Sequence, residues 1–114
     1  MRRDEAYLLD ILIACRKITQ FTEGVSWEEF RQNELLQFAL VRILEVMGEA
    51  ANNISQEVQA VHPEIPWGKI IGMRNLLIRQ YFRISLEIVW DTVQKDIPVL
   101  MKQVEPLIPP EEQS

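Results

Sequence analysis

The chain has 114 residues, 47% of them hydrophobic and 25% charged, with a net charge of −5. That length suits one domain, and the composition suits a soluble globule. No apolar run nears the roughly 20 residues that cross a bilayer, so no membrane segment is expected. One histidine and one cysteine leave no metal-ligand cluster, and no glycine-rich phosphate loop is present, so neither a metal nor a cofactor is expected.

The start, Met1-Arg2-Arg3-Asp4-Glu5, turns acidic at once, unlike a secretory signal. A lone Cys15 cannot close an internal disulfide. Both features fit a reducing cytoplasm. Asp4 to about Phe21 reads as a helix, with Leu8, Ile11, Leu12, Cys15 and Ile18 on one stripe. Cys15 lies on that apolar face and reads as an inert core thiol.

Gly24 suits the left-handed residue that ends a helix. Ser26-Trp27-Glu28-Glu29 fits a capping box, which predicts a short helix pinned by Trp27 and Phe30. The longest helix is expected from Gln32 or Asn33 to about Val61. Its apolar residues recur every three or four positions, from Leu36 through Met47 to Val58. Gly48 inside it costs roughly 1 kcal/mol against alanine, which close approach of another helix would explain. Arg42, Glu45 and Glu49 sit on neighbouring turns. They read either as a solvated charge ladder or as supplying a partner for a buried arginine. His62, before Pro63 at a helix end, suits the negative end of the dipole.

The stretch from Ile65 to Leu86 holds four basic residues, Lys69, Arg74, Arg79 and Arg83, and no acidic one. In a chain of net −5, that concentration of positive charge is the footprint of an anion site, such as one for phosphate. Pro66 suits a first helical turn. Trp67, Ile71, Ile78 and Tyr81 fall on one stripe with Arg74 in its middle. A buried arginine there must be paired, or must face an interface or ligand. Arg79 is five residues on, roughly 140° around an ideal helix. Two copies across a twofold axis, or a helix that unwinds near Arg79, would let both guanidiniums reach one point. Gly68 and Gly72, four apart in the same helix, read as permitting close helix packing. Ser85 can cap the next helix, and Pro98 should kink or restart it, with Asp96 as the cap of the restarted part. A single helical domain over 1–108 and a frayed polar tail over 109–114 are expected.

Arg74-Asn75-Leu76-Leu77-Ile78-Arg79-Gln80-Tyr81 resembles the signature of the HEPN superfamily, and specifically the HepT-like toxins. That pattern is arginine, a polar residue, three more residues, histidine, any residue, tyrosine. Pro63 to Trp67, Ile70 to Met73 and Leu86 to Trp90 match the surrounding context. Upstream, so do Glu23-Gly24, Trp27 to Phe30 and Gly48 to Ala51, so the resemblance covers nearly the whole chain. One departure stands out: the histidine position holds Arg79.

The resemblance implies an all-α fold, a compact antiparallel bundle of four to five helices. It implies a metal-independent endoribonuclease, the toxin of a toxin–antitoxin pair, acting as a homodimer on tRNA or mRNA. Its antitoxin would be a minimal nucleotidyltransferase that silences it by transferring AMP to Tyr81. Carried over, Arg74 would hold the phosphate, Asn75 would orient it or bond the ribose, and Arg79 would stand in the acid/base position. Lys69 and Arg83 would add charge for RNA. A guanidinium stays protonated near neutrality and cannot shuttle protons, so a weakened or dead nuclease with an intact anion site is expected. The alternative is a catalytically inactive HEPN dimer, an RNA- or nucleotide-binding partner of the nucleotidyltransferase. A third reading is a structural helical dimer in which Arg74 makes only an internal salt bridge.

Overall fold

The structure, a computed structural model, describes residues 2–80 and 83–113. Its helices are α1 (Arg2–Thr22), α2 (Trp27–Gln32), α3 (Glu34–Asn53), α4 (Gln56–Val61), α5 (Trp67–Arg79), α6 (Leu86–Asp91) and α7 (Ile97–Val104). A π-helical segment, Thr92–Asp96, joins α6 to α7 without a break. No strand occurs among the described residues, so the expected all-α architecture is the one observed.

Helix α1 packs against both α3 and α7. Its stripe Leu8, Ile11, Leu12, Cys15 and Ile18 is buried as the periodicity predicts. Burial without a charged neighbour pushes the Cys15 thiol up to about 12, which leaves it protonated and inert. The far side of α3 carries α5.

The turn after α1 uses Gly24 at φ 73°, the left-handed geometry glycine tolerates. The capping box then forms in both directions. Glu29 N–H donates to Ser26 Oγ at 3.1 Å, and Ser26 N–H donates to Glu29 Oε1 at 3.0 Å. The short α2 is anchored by Phe30, fully buried, whose ring stacks on Trp90 at 4.8 Å. Such an aromatic pair adds about 0.5–1.5 kcal/mol beyond simple burial.

The long helix expected to run to Val61 is interrupted. α3 ends at Asn53, Ile54 is extended, and Ser55 caps a separate α4. The cause lies at the other end of the chain. Asp4, 3% exposed, accepts from Ser55 N–H at 2.8 Å and from Ser55 Oγ at 2.9 Å. An N–H held by a distant carboxylate cannot also serve an uninterrupted helix.

The expected disruption at Pro98 also takes another form. Proline withholds the N–H that an α-helix would use one turn back, and the backbone widens into the π segment just before it. Asp96 does not cap α7; its carboxylate reaches Lys69 Nζ at 3.0 Å. Beyond α7, 3-10 turns form at Glu105–Leu107 and Pro110–Glu112. Arg16 Nη2 donates to Gln113 Oε1 at 2.9 Å.

Candidate anion-binding site on helix α5

Helix α5 begins at Trp67 after Pro66 and stops at Arg79, where Gln80 leaves helical geometry. Of the predicted stripe, Trp67 is buried and Ile71 packs against the core, but Ile78 is 43% exposed; Leu77 is buried instead, with Ile70 packed beside it. Arg74 therefore sits at the edge of the buried face, where α5 crosses α3. The neighbour at that crossing is Gly48. A β-carbon there would overlap Arg74 Cβ, stand 2.9 Å from Arg74 Cγ and 3.0 Å from the Ile70 carbonyl oxygen. The close approach inferred for Gly48 is thus present, and the residue it admits is Arg74.

This packing clamps the aliphatic stem of Arg74 and strips water from its Nε. That atom is buried with no acceptor among the described residues. The ion pair anticipated from Glu45 or Glu49 is not formed among the described residues. Glu45 instead stands 4.0 Å from Arg42. Arg74 directs Nη1 to Asn75 Oδ1 at 3.1 Å. Arg79 turns back along the helix, and its Nε donates to the Asn75 carbonyl oxygen at 3.3 Å. Asn75 thus links the two arginines without a bend in the helix before Arg79. Asn75, Ile78 and Arg79 line a shallow depression of about 330 Å³.

The polarity of this group is one-sided. Asn75 Oδ1 and its backbone carbonyl are both engaged by arginines, which leaves its amide N–H donors outward. The rest of the group is guanidinium. Among the described residues, no carboxylate pairs with Arg74, Arg79 or Arg83. An array of unneutralised donors recognises an anion.

The other candidates lie apart. Lys69 is turned toward Asp96 of the π segment. Arg83 is exposed just past the helix, with its N–H on the Gln80 carbonyl at 2.8 Å. Tyr81, the residue expected to receive AMP, lies outside the described residues. His62 caps α4 and stands 3.5 Å from Glu64, away from the Asn75 group. Apolar periodicity puts Ile78 on the buried stripe, yet it borders the depression. Its position next to Arg79 is the one sequence signal that points there.

A model of the HepT-like ribonuclease family matches residues 11–107. The chain belongs to the HepT-like ribonuclease family. Among relatives, the Thermococcus cleftensis protein named "Probable ribonuclease HepT" is 41% identical, over 93% of this chain and 96% of its own. A protein of Caldanaerobacter subterraneus subsp. tengcongensis named as an RNase is 39% identical, over 95% and 96%. One from Methanocaldococcus jannaschii, also named as an RNase, is 36% identical, over 91% and 96%. No solved structure matches. In this HepT-like chain no helix among the described residues is long and apolar enough to cross a membrane.

Proposed function

We propose that this HepT-like protein is the toxin of a toxin–antitoxin pair and engages RNA through the Arg74–Asn75–Arg79 group. The observation that carries the reading is the absence of any acid partner for that group among the described residues. A structural arginine at a helix crossing would pair with a carboxylate on α3; Arg74 leaves both Glu45 and Glu49 unused. Its guanidinium can then meet a phosphate. Asn75 would add amide donors to a phosphate or ribose oxygen.

The same geometry bears on catalysis. Cleavage at a ribose 2'-hydroxyl needs a group that takes a proton and one that returns it. Arg79, at the family's histidine position, does neither near neutral pH. Loss of acid–base help costs about 10²–10⁴-fold in rate, so strong binding with feeble cleavage is the expected behaviour. This donor-only character also favours a second reading, a binding partner of a nucleotidyltransferase that has lost catalysis.

The protein would act as a homodimer. Gly68, Gly72, Asn75 and Arg79 follow one another at helical spacing along the outer side of α5. A β-carbon on either glycine would meet nothing within 4 Å. Close packing at these glycines therefore does not occur within the chain, and a second α5 could approach there. Two Asn75 groups would then share one cleft. Transfer of AMP to Tyr81 by the antitoxin would add an anion two residues after Arg79 in the chain and oppose RNA binding by charge and bulk.

The decisive experiment compares the chain with its Arg79→His variant on total tRNA and on mRNA, without divalent metal. Cleavage by the histidine variant alone supports the family mechanism with catalysis suppressed by Arg79. Cleavage by both removes Arg79 from the acid/base role. Binding by both with no cleavage supports the partner reading. Absence of RNA binding by either overturns the proposal.

A further inference from the structure

Helices α5 and α7 do not close on each other. Between them lies a cavity of about 300 Å³, away from the Asn75 group. Its floor is Leu44 and Met47 of α3; Ile70 and Met73 form one wall, Ile97 and Leu100 the other. An apolar cavity of about 150 Å³ can hold benzene, so this one has room for about a dozen non-hydrogen atoms. Two methionines let its surface adapt to shape.

Two polar straps cross the mouth. Lys69 Nζ meets Asp96 at 3.0 Å, and Gln103 Nε2 donates to the Glu64 carbonyl oxygen at 2.9 Å. Each ties one wall to the other, and a volume of about 300 Å³ suits a small molecule rather than a helix. Of the lining residues, two are carboxylates, Glu64 and Asp96, and one is an ammonium, Lys69; around them His62 stands 3.5 Å from Glu64, and Lys95 bonds Asp91 and also feels Asp96. Gln103 Oε1 is buried with no donor among the described residues, an acceptor left for a ligand to satisfy. The surplus at the mouth is acceptor and negative charge. Asp96 is presented by the π segment, a widened turn of the kind often found at functional sites.

We propose that this cavity binds a small primary amine with an apolar body of about bicyclic size. The body lies on Leu44 and Met47. The ammonium stays at the mouth with Glu64 and Asp96 and supplies a donor to the unpartnered Gln103 Oε1. The site shares only Lys69 with the residues expected to serve RNA, and none of Arg74, Asn75 and Arg79 lines it.

The test is calorimetric titration of the full chain with tryptamine as probe, beside indole-3-acetate, which carries a similar body with opposite charge. Tryptamine is expected to bind one per chain, at least about tenfold more tightly than the acid. Asp96→Asn should weaken tryptamine by about tenfold. Met73→Trp, which fills the cavity, should abolish binding; Val99→Trp at the exposed rim replaces it if that variant fails to fold. In the unmodified chain, the methyl resonances of Met47 and Met73 should shift on titration while that of Met101 stays. No heat at millimolar tryptamine, equal binding of the acid, or methyl shifts that spare Met47 and Met73 would each overturn the proposal.

Discussion

Gly48 and Arg74 touch backbone to side chain where α3 crosses α5, with no room for a β-carbon between them. The glycine is therefore a packing requirement. In an isolated helix, Gly48→Ala would gain about 1 kcal/mol of propensity. Here the new methyl meets the Arg74 stem and the Ile70 carbonyl, neither of which is the loose end of a side chain. Overpacking of this kind costs about 1–3 kcal/mol. Chemical denaturation should show Gly48→Ala less stable than the parent. A variant equal to or above the parent would mean the two helices are not held this closely.

The opposite outcome is expected at Gly72. Its outer side is open, since a β-carbon there meets nothing within 4 Å. Gly72→Leu should fold with an unchanged or slightly raised melting temperature. If α5 meets its twin across a twofold axis, the same substitution should separate the dimer, which light scattering at micromolar concentration would register. A parent that is already monomeric would remove the shared cleft.

Arg74→Ala keeps the β-carbon that rests on Gly48 and breaks no ion pair found among the described residues. Its effect on stability should stay within about 1 kcal/mol, because the lost stem packing is offset by removal of the buried, unpartnered Nε. RNA binding should fall sharply. The slope of log affinity against log salt should shrink by about 0.7 for each single-stranded phosphate that the variant no longer neutralises. A large drop in melting temperature with RNA affinity preserved would assign Arg74 to the scaffold.

Asp4 couples stability to acidity. Its carboxylate accepts from the Ser55 N–H and hydroxyl, which holds it below the ordinary carboxylate value of 3.8. As pH falls, the unfolded chain takes up this proton first. The Asp4 contribution is therefore whole above about pH 5, declines through the ordinary value and is gone below the folded one. Asp4→Asn should lower the melting temperature at neutral pH and flatten its fall in acid. Parallel acid profiles for the two proteins would show that Asp4 is not tied down in solution.

Local chemistry was legible in the sequence wherever its cause is local. The box between Ser26 and Glu29, the turn at Gly24 and the cap at Ser85 each involve residues at most three apart. The break at Ile54–Ser55 was not legible. Apolar spacing continues across it through Val58 and Val61, and the acceptor that forces it is 51 residues away. For α5, Ile71 with Ile78 and Ile70 with Leu77 are equally periodic. Periodicity fixes a helix but not which flank meets α3. At Pro98 the sequence announced a disturbance, and a π segment with an uncapped helix start was one of several ways to absorb it. The motif placed Arg74, Asn75 and Arg79 on one helix. That Asn75 gives both its oxygens to the arginines depends on rotamers no sequence displays.

A site that held an anion through guanidinium and amide groups alone would draw on groups whose ordinary charge does not change over about pH 5 to pH 9. Its attraction for a phosphodiester backbone should run level across that whole span. The motif with histidine in place of Arg79 would instead change its grip near neutrality. Exchanging one side chain thus turns a grip that responds to acidity into one that ignores it.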